Sequence, residues 1–245
     1  MKKSVFVSLL LIIISSLLIG CKSNKDEIKV GTIAGPETAL MEVAQQVAKK
    51  KYNLDINIKT FSDYVIPNVA LNDGSIDANV YQHMPYLEAM VKSRGYELVS
   101  IGKTFVYPMG LYSKKLKDIS EIPTQATIAI PNDPSNEARA LLLLQQAGLI
   151  KLSKTFDATV LDITQNPRKI QFKTLTAAQL PRVLSDVDGA IINTNYAIIN
   201  DLSPDKDSIY LEGKDSPYAN IIVVRKKDQD NPKLKQLVKA LNSPE

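Results

Sequence analysis

The six residues Tyr81-Gln82-His83-Met84-Pro85-Tyr86 gather two phenols and the only histidine of the sequence. Aromatic rings with a polar handle suit a pocket that is apolar in the middle and hydrogen-bonding at its edge. Tyr64, on a turn after an earlier strand, is of the same kind. The competing role for Tyr86, at the start of a helix, is ordinary core packing. Catalysis finds little support in these residues. No G-x-S-x-G elbow marks out a serine to work with His83, so nucleophilic hydrolysis lacks its nucleophile. One cysteine and one histidine fall short of the ligands a zinc site draws on, so no metal is expected. Neither a P-loop nor G-x-G-x-x-G occurs, which disfavours nucleotides, and no other cofactor is expected.

A second group surrounds Arg139. Asp133-Pro134 reads as an N-cap followed by proline at the first helical position, so Asn136 and Arg139 fall in the first two turns of a helix. The macrodipole there favours anions, and a cation is out of place. A guanidinium beside free backbone N–H groups makes sense if both face an anionic ligand. Equally, this stretch fits a surface arginine paired with Glu137 or Asp133. Asn193, Asn195 and Asn220 follow or precede strands. Their amides offer both a donor and an acceptor, which suits a zwitterion, although asparagine is also a common turn former.

The elements that must position these groups alternate. Strands are expected at Ile28–Ile33, Leu54–Thr60, Asp77–Val80, Thr127–Ile130, Gly189–Ile192 and Ile221–Val224, with extended runs at Leu98–Ile101, Phe105–Tyr112 and Val160–Ile163. Helices are expected at Ala39–Lys50, around Pro67–Leu71, and at Leu87–Arg94, around Ala177–Leu184 and at Pro232–Leu241. The helix after Asp133 should run through Leu141–Leu144 and close at Gly148 in a left-handed conformation. This is an α/β chain with β-α-β units and parallel pairings. An internal echo places Asp77 and Asp188 just before small, apolar strands that run into YQHMPY and NTNY. Ligands of open α/β sheets bind outside the carboxyl ends of the strands. Three such ends, at residues 81–86, 132–139 and 193–195, could therefore converge on one cleft.

At the beginning of the chain, Lys2 and Lys3 precede an apolar stretch from Val5 to Ile19 and then Leu18-Ile19-Gly20-Cys21. That is the pattern of a secretory signal, and its apolar run is short of the roughly 20 residues of a spanning helix. It resembles the lipobox of bacterial lipoproteins, in which the new N-terminal cysteine carries lipid. Cys21 is the only cysteine, so it is free for that use. Lys22 to Asp26 reads as a short tether. Of 30 basic and 26 acidic residues, two lysines leave with the signal. The remaining balance is too even for a nucleic-acid surface. The 225 residues after the signal suggest two modest lobes.

Five motifs in order, Tyr81 to Tyr86, Pro108-Met109-Gly110-Leu111-Tyr112-Ser113, Ala129-Ile130-Pro131-Asn132-Asp133-Pro134, Ala177-Ala178-Gln179-Leu180-Pro181-Arg182 and Asp215-Ser216-Pro217-Tyr218-Ala219-Asn220, are similar to those of the methionine-binding lipoprotein family, the substrate-binding component of a methionine ABC importer. The resemblance implies a two-lobed periplasmic-binding-protein fold with a ligand cleft between the lobes, and no enzymatic activity. It implies signal residues 1–20, a lipidated N-terminus and tether at 21–26, a first lobe from 27–108 and 215–245, and a second lobe from 109–214. Arg139 would hold the ligand carboxylate with Asn136 assisting. Asn193 and Asn220 would take the amino and carboxylate groups, and Tyr64, Tyr81, His83 and Tyr86 would wall the side-chain pocket. The implied partners are methionine or a methionine dipeptide, the permease and ATPase of the importer, and a membrane reached through lipid on Cys21. The protein would be a monomer facing the outside or the periplasm. The sequence ends at Leu241-Asn242-Ser243-Pro244-Glu245, where the family pattern continues through a further helix and tail. This keeps open a surface adhesion lipoprotein with its transport role lost.

Overall fold

The computed structural model describes residues 27–213 and 215–245; the signal segment, Cys21 and the tether lie outside the described residues. The chain begins with β1 (Glu27–Ile33), α1 (Pro36–Tyr52), β2 (Asp55–Phe61), α2 (Ile66–Asp73), β3 (Ala78–His83), α3 (Met84–Arg94) and β4 (Leu98–Val106). Then come β5 (Gly110–Tyr112), β6 (Thr127–Pro131), α4 (Pro134–Gln146), β7 (Lys151–Leu152), β8 (Ile163–Gln165), β9 (Gln171–Leu175) and β10 (Gly189–Ile192). The last elements are α5 (Thr194–Ile198), α6 (Pro204–Asp207), β11 (Ser208–Leu211), β12 (Ala219–Arg225) and α7 (Pro232–Leu241).

Among the described residues the strands form two five-stranded sheets, in the orders β2-β1-β3-β12-β4 and β11-β5-β10-β6-β9, and a small β7-β8 pair. Each large sheet has a parallel heart, β2-β1-β3 in one and β10-β6-β9 in the other. Strands covered on both faces read as continuous apolar runs, and β10 (Gly189–Ile192) is buried at every residue. The chain passes between the sheets twice, through residues 107–109 and again between β11 and β12, because β12 returns to pair antiparallel with β3 and β4. One core packs α1 and α7 on the first sheet. A second packs the leucines of α4 on the other. A third, carrying Tyr81, Tyr86, Tyr112 and Tyr196, joins the two.

The echo of acidic residues has a structural cause. Asp77 accepts the Lys29 N–H at 2.8 Å through its carboxylate, and its own N–H donates to the Lys29 carbonyl at 2.8 Å. Asp188 repeats this with Thr127, at 2.8 and 2.9 Å. Each aspartate thus fixes the register of the central parallel pair in its sheet, at the end of the strand remote from the cleft.

Several elements differ from the sequence reading. Residues 160–162 form a 3₁₀ turn, with the Asp162 carboxylate accepting the Thr159 N–H at 2.8 Å, and only Ile163 is extended. Ala177–Val183 is a 3₁₀ helix with Pro181 inside it, since proline removes a donor and clashes with the preceding turn of an α-helix. The run from Phe105 to Tyr112 breaks at the first crossover. The strands β7, β9 and β11 and the short helices α5 and α6 are additional.

Candidate functional site

The ends of β1, β3, β6 and β10 and the start of β12 meet between the sheets. β3 ends at His83, with Asn220 beside it in register; β6 runs into the Asp133 turn, β10 into Asn193, and β1 into Gly35 and the start of α1. They surround a cavity. Tyr64, Tyr81, His83, Tyr86, Asn136, Arg139, Asn193 and Asn220 all line it, joined by Glu37, Gln82, Tyr107 and Asn195. Among the described residues no His, Cys, Asp and Glu cluster could hold a metal ion, and no helix is long and apolar enough to cross a membrane.

One wall is aromatic. The Tyr64 ring lies 5.0 Å from Tyr196, 5.8 Å from Tyr81 and 5.9 Å from Tyr86, measured between centroids. The Tyr81 and Tyr86 hydroxyls both donate to the Tyr64 carbonyl, at 2.7 and 2.9 Å. With their polar tips satisfied, the rings present apolar surface. Tyr86 therefore belongs to the core and to the cavity wall at once.

His83 caps α3. The Tyr86 N–H donates to Nδ1 at 3.2 Å, which places the ring proton on Nε2, facing Asn136 Oδ1 at 3.3 Å. Burial and the nearby Arg139 cation push His83 down to about 3, so it is neutral at physiological pH. The ring links the start of α3 to Asn136. Asn136 is similarly committed. Its Nδ2 donates to both Asp133 oxygens at 2.9 and 3.0 Å, and its Oδ1 accepts from Asn193 Nδ2 at 3.0 Å.

Arg139 is no surface residue, and its partner is neither Glu137 nor Asp133. Glu137 accepts the Val160 N–H at 3.2 Å, and Asp133 caps the helix through the Asn136 N–H at 3.0 Å. The guanidinium forks onto Glu212, 73 residues on, with Nε to Oε1 at 3.0 Å and Nη2 to Oε2. Nη2 also donates to the Tyr107 carbonyl at 2.8 Å, and the Tyr218 ring lies 4.4 Å from the guanidinium carbon. Both crossover segments thus hold this one side chain, and Nη1 is left without a protein acceptor among the described residues.

Three buried polar atoms of the lining lack a hydrogen-bond partner in the structure: Asn193 Oδ1, Asn195 Nδ2 and Glu37 Oε2. Buried polar groups are rarely left so, and a cluster of them around a cavity marks where a ligand belongs. Glu37 and Tyr107 had no assigned role in the sequence reading. For Glu37 a signal was available: the Gly35-Pro36 start of α1 after β1 parallels the Asp133-Pro134 start of α4 after β6. Gln82 was within the aromatic hexapeptide, and its amide is locked into a buried triad with Asn68 and Asn79 at 2.7 to 2.9 Å.

Comparison with known proteins extends these observations. The family profile described as NlpA lipoprotein matches residues 28–245. The D-methionine-binding lipoprotein MetQ of Salmonella typhi is 50% identical over 238 residues, which cover 94% of this chain and 88% of that protein. A periplasmic substrate-binding protein of an ABC transporter from Coxiella burnetii has a TM-score of 0.86 at 62% identity, covering 89% of this chain and 92% of its own. A nutrient-binding protein from Burkholderia cenocepacia, solved bound to methionine, has a TM-score of 0.86 at 56% identity, with coverage of 89% and 92%. The fold is accordingly the two-lobed one of periplasmic substrate-binding proteins. Since the profile runs through both sheets and both crossovers, the chain belongs to the NlpA lipoprotein family.

Proposed function

We propose that the cavity captures methionine as a zwitterion between the lobes, and that the protein, anchored by lipid on Cys21, delivers it to the permease and ATPase of an ABC importer. One observation carries this reading: unpartnered amide atoms of Asn193 and Asn195 stand in the same cavity as an oriented guanidinium and a wall of tyrosine rings. Arg139 receives the carboxylate, and Asn193 and Asn220 take up the amino and carboxylate groups. Tyr64, Tyr81, His83 and Tyr86 enclose the thioether, which gains from contact with aromatic rings. Asn136 acts by holding His83 and Asn193 in place.

The first lobe comprises residues 27–108 and 215–245, the second 109–214. A ligand bridging them favours the closed state because it touches both. Hydrogen bonds from Tyr64 to Asn195 at 2.6 Å and from Tyr196 to the Ser62 carbonyl at 3.2 Å cross the same gap. The names of the relatives and the methionine-bound neighbour point to the same ligand. Mass spectrometry of ligand released from purified protein, with melting temperatures measured against added amino acids and dipeptides, tests the reading. Methionine is the expected mass. A methionine dipeptide would make the protein a peptide receptor, and a melting temperature that no ligand moves would favour surface adhesion.

A further inference from the structure

Glu37 is the buried acidic group that the reading above leaves without work. It is the second residue of α1, only 2% exposed, and lines the cavity with an oxygen that no group satisfies among the described residues. The groups that interact with it electrostatically are the phenols Tyr64, Tyr107 and Tyr196, all held protonated by burial. Neutral His83 and Arg139 share the cavity, and the Arg139 charge is already balanced by Glu212. Among the described residues no cation therefore pairs with Glu37. A carboxylate in such a place is costly when ionised, so burial keeps it as the acid.

The backbone N–H of Glu37 itself is the one donor to this carboxylate among the described residues, and Oε2 is left unpartnered in the cavity lining. Resting on the assignment of the cavity to a zwitterion, we propose that Glu37 receives the ligand's ammonium and gives up its own proton as the ligand enters. The O–H bond of the carboxyl group breaks, the proton passes to solvent, and the ligand amine stays charged throughout. Bound, the charges alternate in a row: Glu212 negative, Arg139 positive, ligand carboxylate negative, ligand ammonium positive, Glu37 negative. The site thereby selects ligands with a free primary amine. Consistent with this, burial pushes Glu37 up to about 8, offset in part by its own backbone N–H, so it carries its proton at pH 7.

Calorimetry tests this on the mature, lipidated protein in detergent, titrated with methionine at pH 7 in buffers of different ionisation enthalpy. The wild type should release close to one proton for each methionine bound, and Glu37→Gln none. The variant should bind methionine roughly 10- to 100-fold more weakly, the worth of a charged hydrogen bond. Its binding of the deamino analogue 4-methylthiobutanoate should hold, narrowing the gap between the two ligands. Wild type that binds methionine without proton release overturns the proposal, and so does a glutamine variant with wild-type affinity. The first of these needs no variant to fold. Wild type that binds no methionine at all would instead overturn the assignment of the cavity.

Discussion

Removing Arg139 should lower both stability and ligand affinity, and a second substitution separates the two effects. The Arg139 and Glu212 side chains are 4% and 9% exposed, so the pair is desolvated. Arg139→Ala strands the Glu212 carboxylate with the Met109 N–H, at 3.1 Å, as its remaining donor. Breaking a buried pair from one side costs about 3–5 kcal/mol, and the Tyr107 carbonyl loses a donor worth about 1 kcal/mol. For a protein of this size that lowers the melting temperature by about 10–20 °C. Adding Glu212→Ala removes the stranded charge and should return about 2 kcal/mol or more of stability. It should return no affinity, because the guanidinium is still missing. Thermal scans and calorimetry on wild type, both single variants and the double variant give the complete cycle. A double variant no more stable than Arg139→Ala would refute the stranded-charge argument. Undiminished methionine binding in either Arg139 variant would remove Arg139 from the site.

The pH dependence of stability, measured without added ligand, follows from two buried groups. His83 falls from 6.5 to about 3 on folding, so the unfolded chain binds the extra proton in that window. Its contribution is present above pH 6.5 and is lost as pH falls toward 3; His83→Asn should flatten that limb of a stability-against-pH curve. Glu37 rises from 4.5 to about 8, so its contribution is present below pH 4.5 and is lost as pH rises through 8; Glu37→Gln should flatten the other limb. At Gly35, φ is +116° and an added Cβ would stand 2.6 Å from Ile199 Cγ2. Gly35→Ala should therefore cost about 1–3 kcal/mol in backbone strain. It should also weaken ligand binding by wedging the lobes, and adding Ile199→Ala should restore affinity but not the melting temperature. Asn68→Ala leaves Gln82 and Asn79 short of partners beneath the cavity. It should destabilise by about 2 kcal/mol or more in a urea melt.

What the sequence determined by itself is local. The Asp133 cap, the proline after it and the left-handed Gly148, at φ +74°, are each written in neighbouring residues, and they delimit α4 as expected. The apolar strands β6 and β10 and the aromatic hexapeptide are likewise legible from residue type and spacing. The eight residues that the family resemblance singles out stand around one cavity, at or near strand ends, where ligands of open α/β sheets bind. Only the tertiary structure decided who pairs with whom. Arg139 had nearby acidic candidates at 133 and 137, and chose Glu212 because the second crossover brings that carboxylate into fork geometry where the neighbours on the helix are already engaged. Asp77 and Asp188, an internal echo in the sequence, are clamps on the register of parallel strands, which only the pairing shows. Edge strands β9 and β11 carry too little apolar alternation to declare themselves, and their pairing partners supply what local preference does not. For Glu37 the Gly35-Pro36 start of α1 marks a strand end, but nothing next to it in the chain says that it will be buried with an unpartnered oxygen, since burial is a property of everything that packs around it.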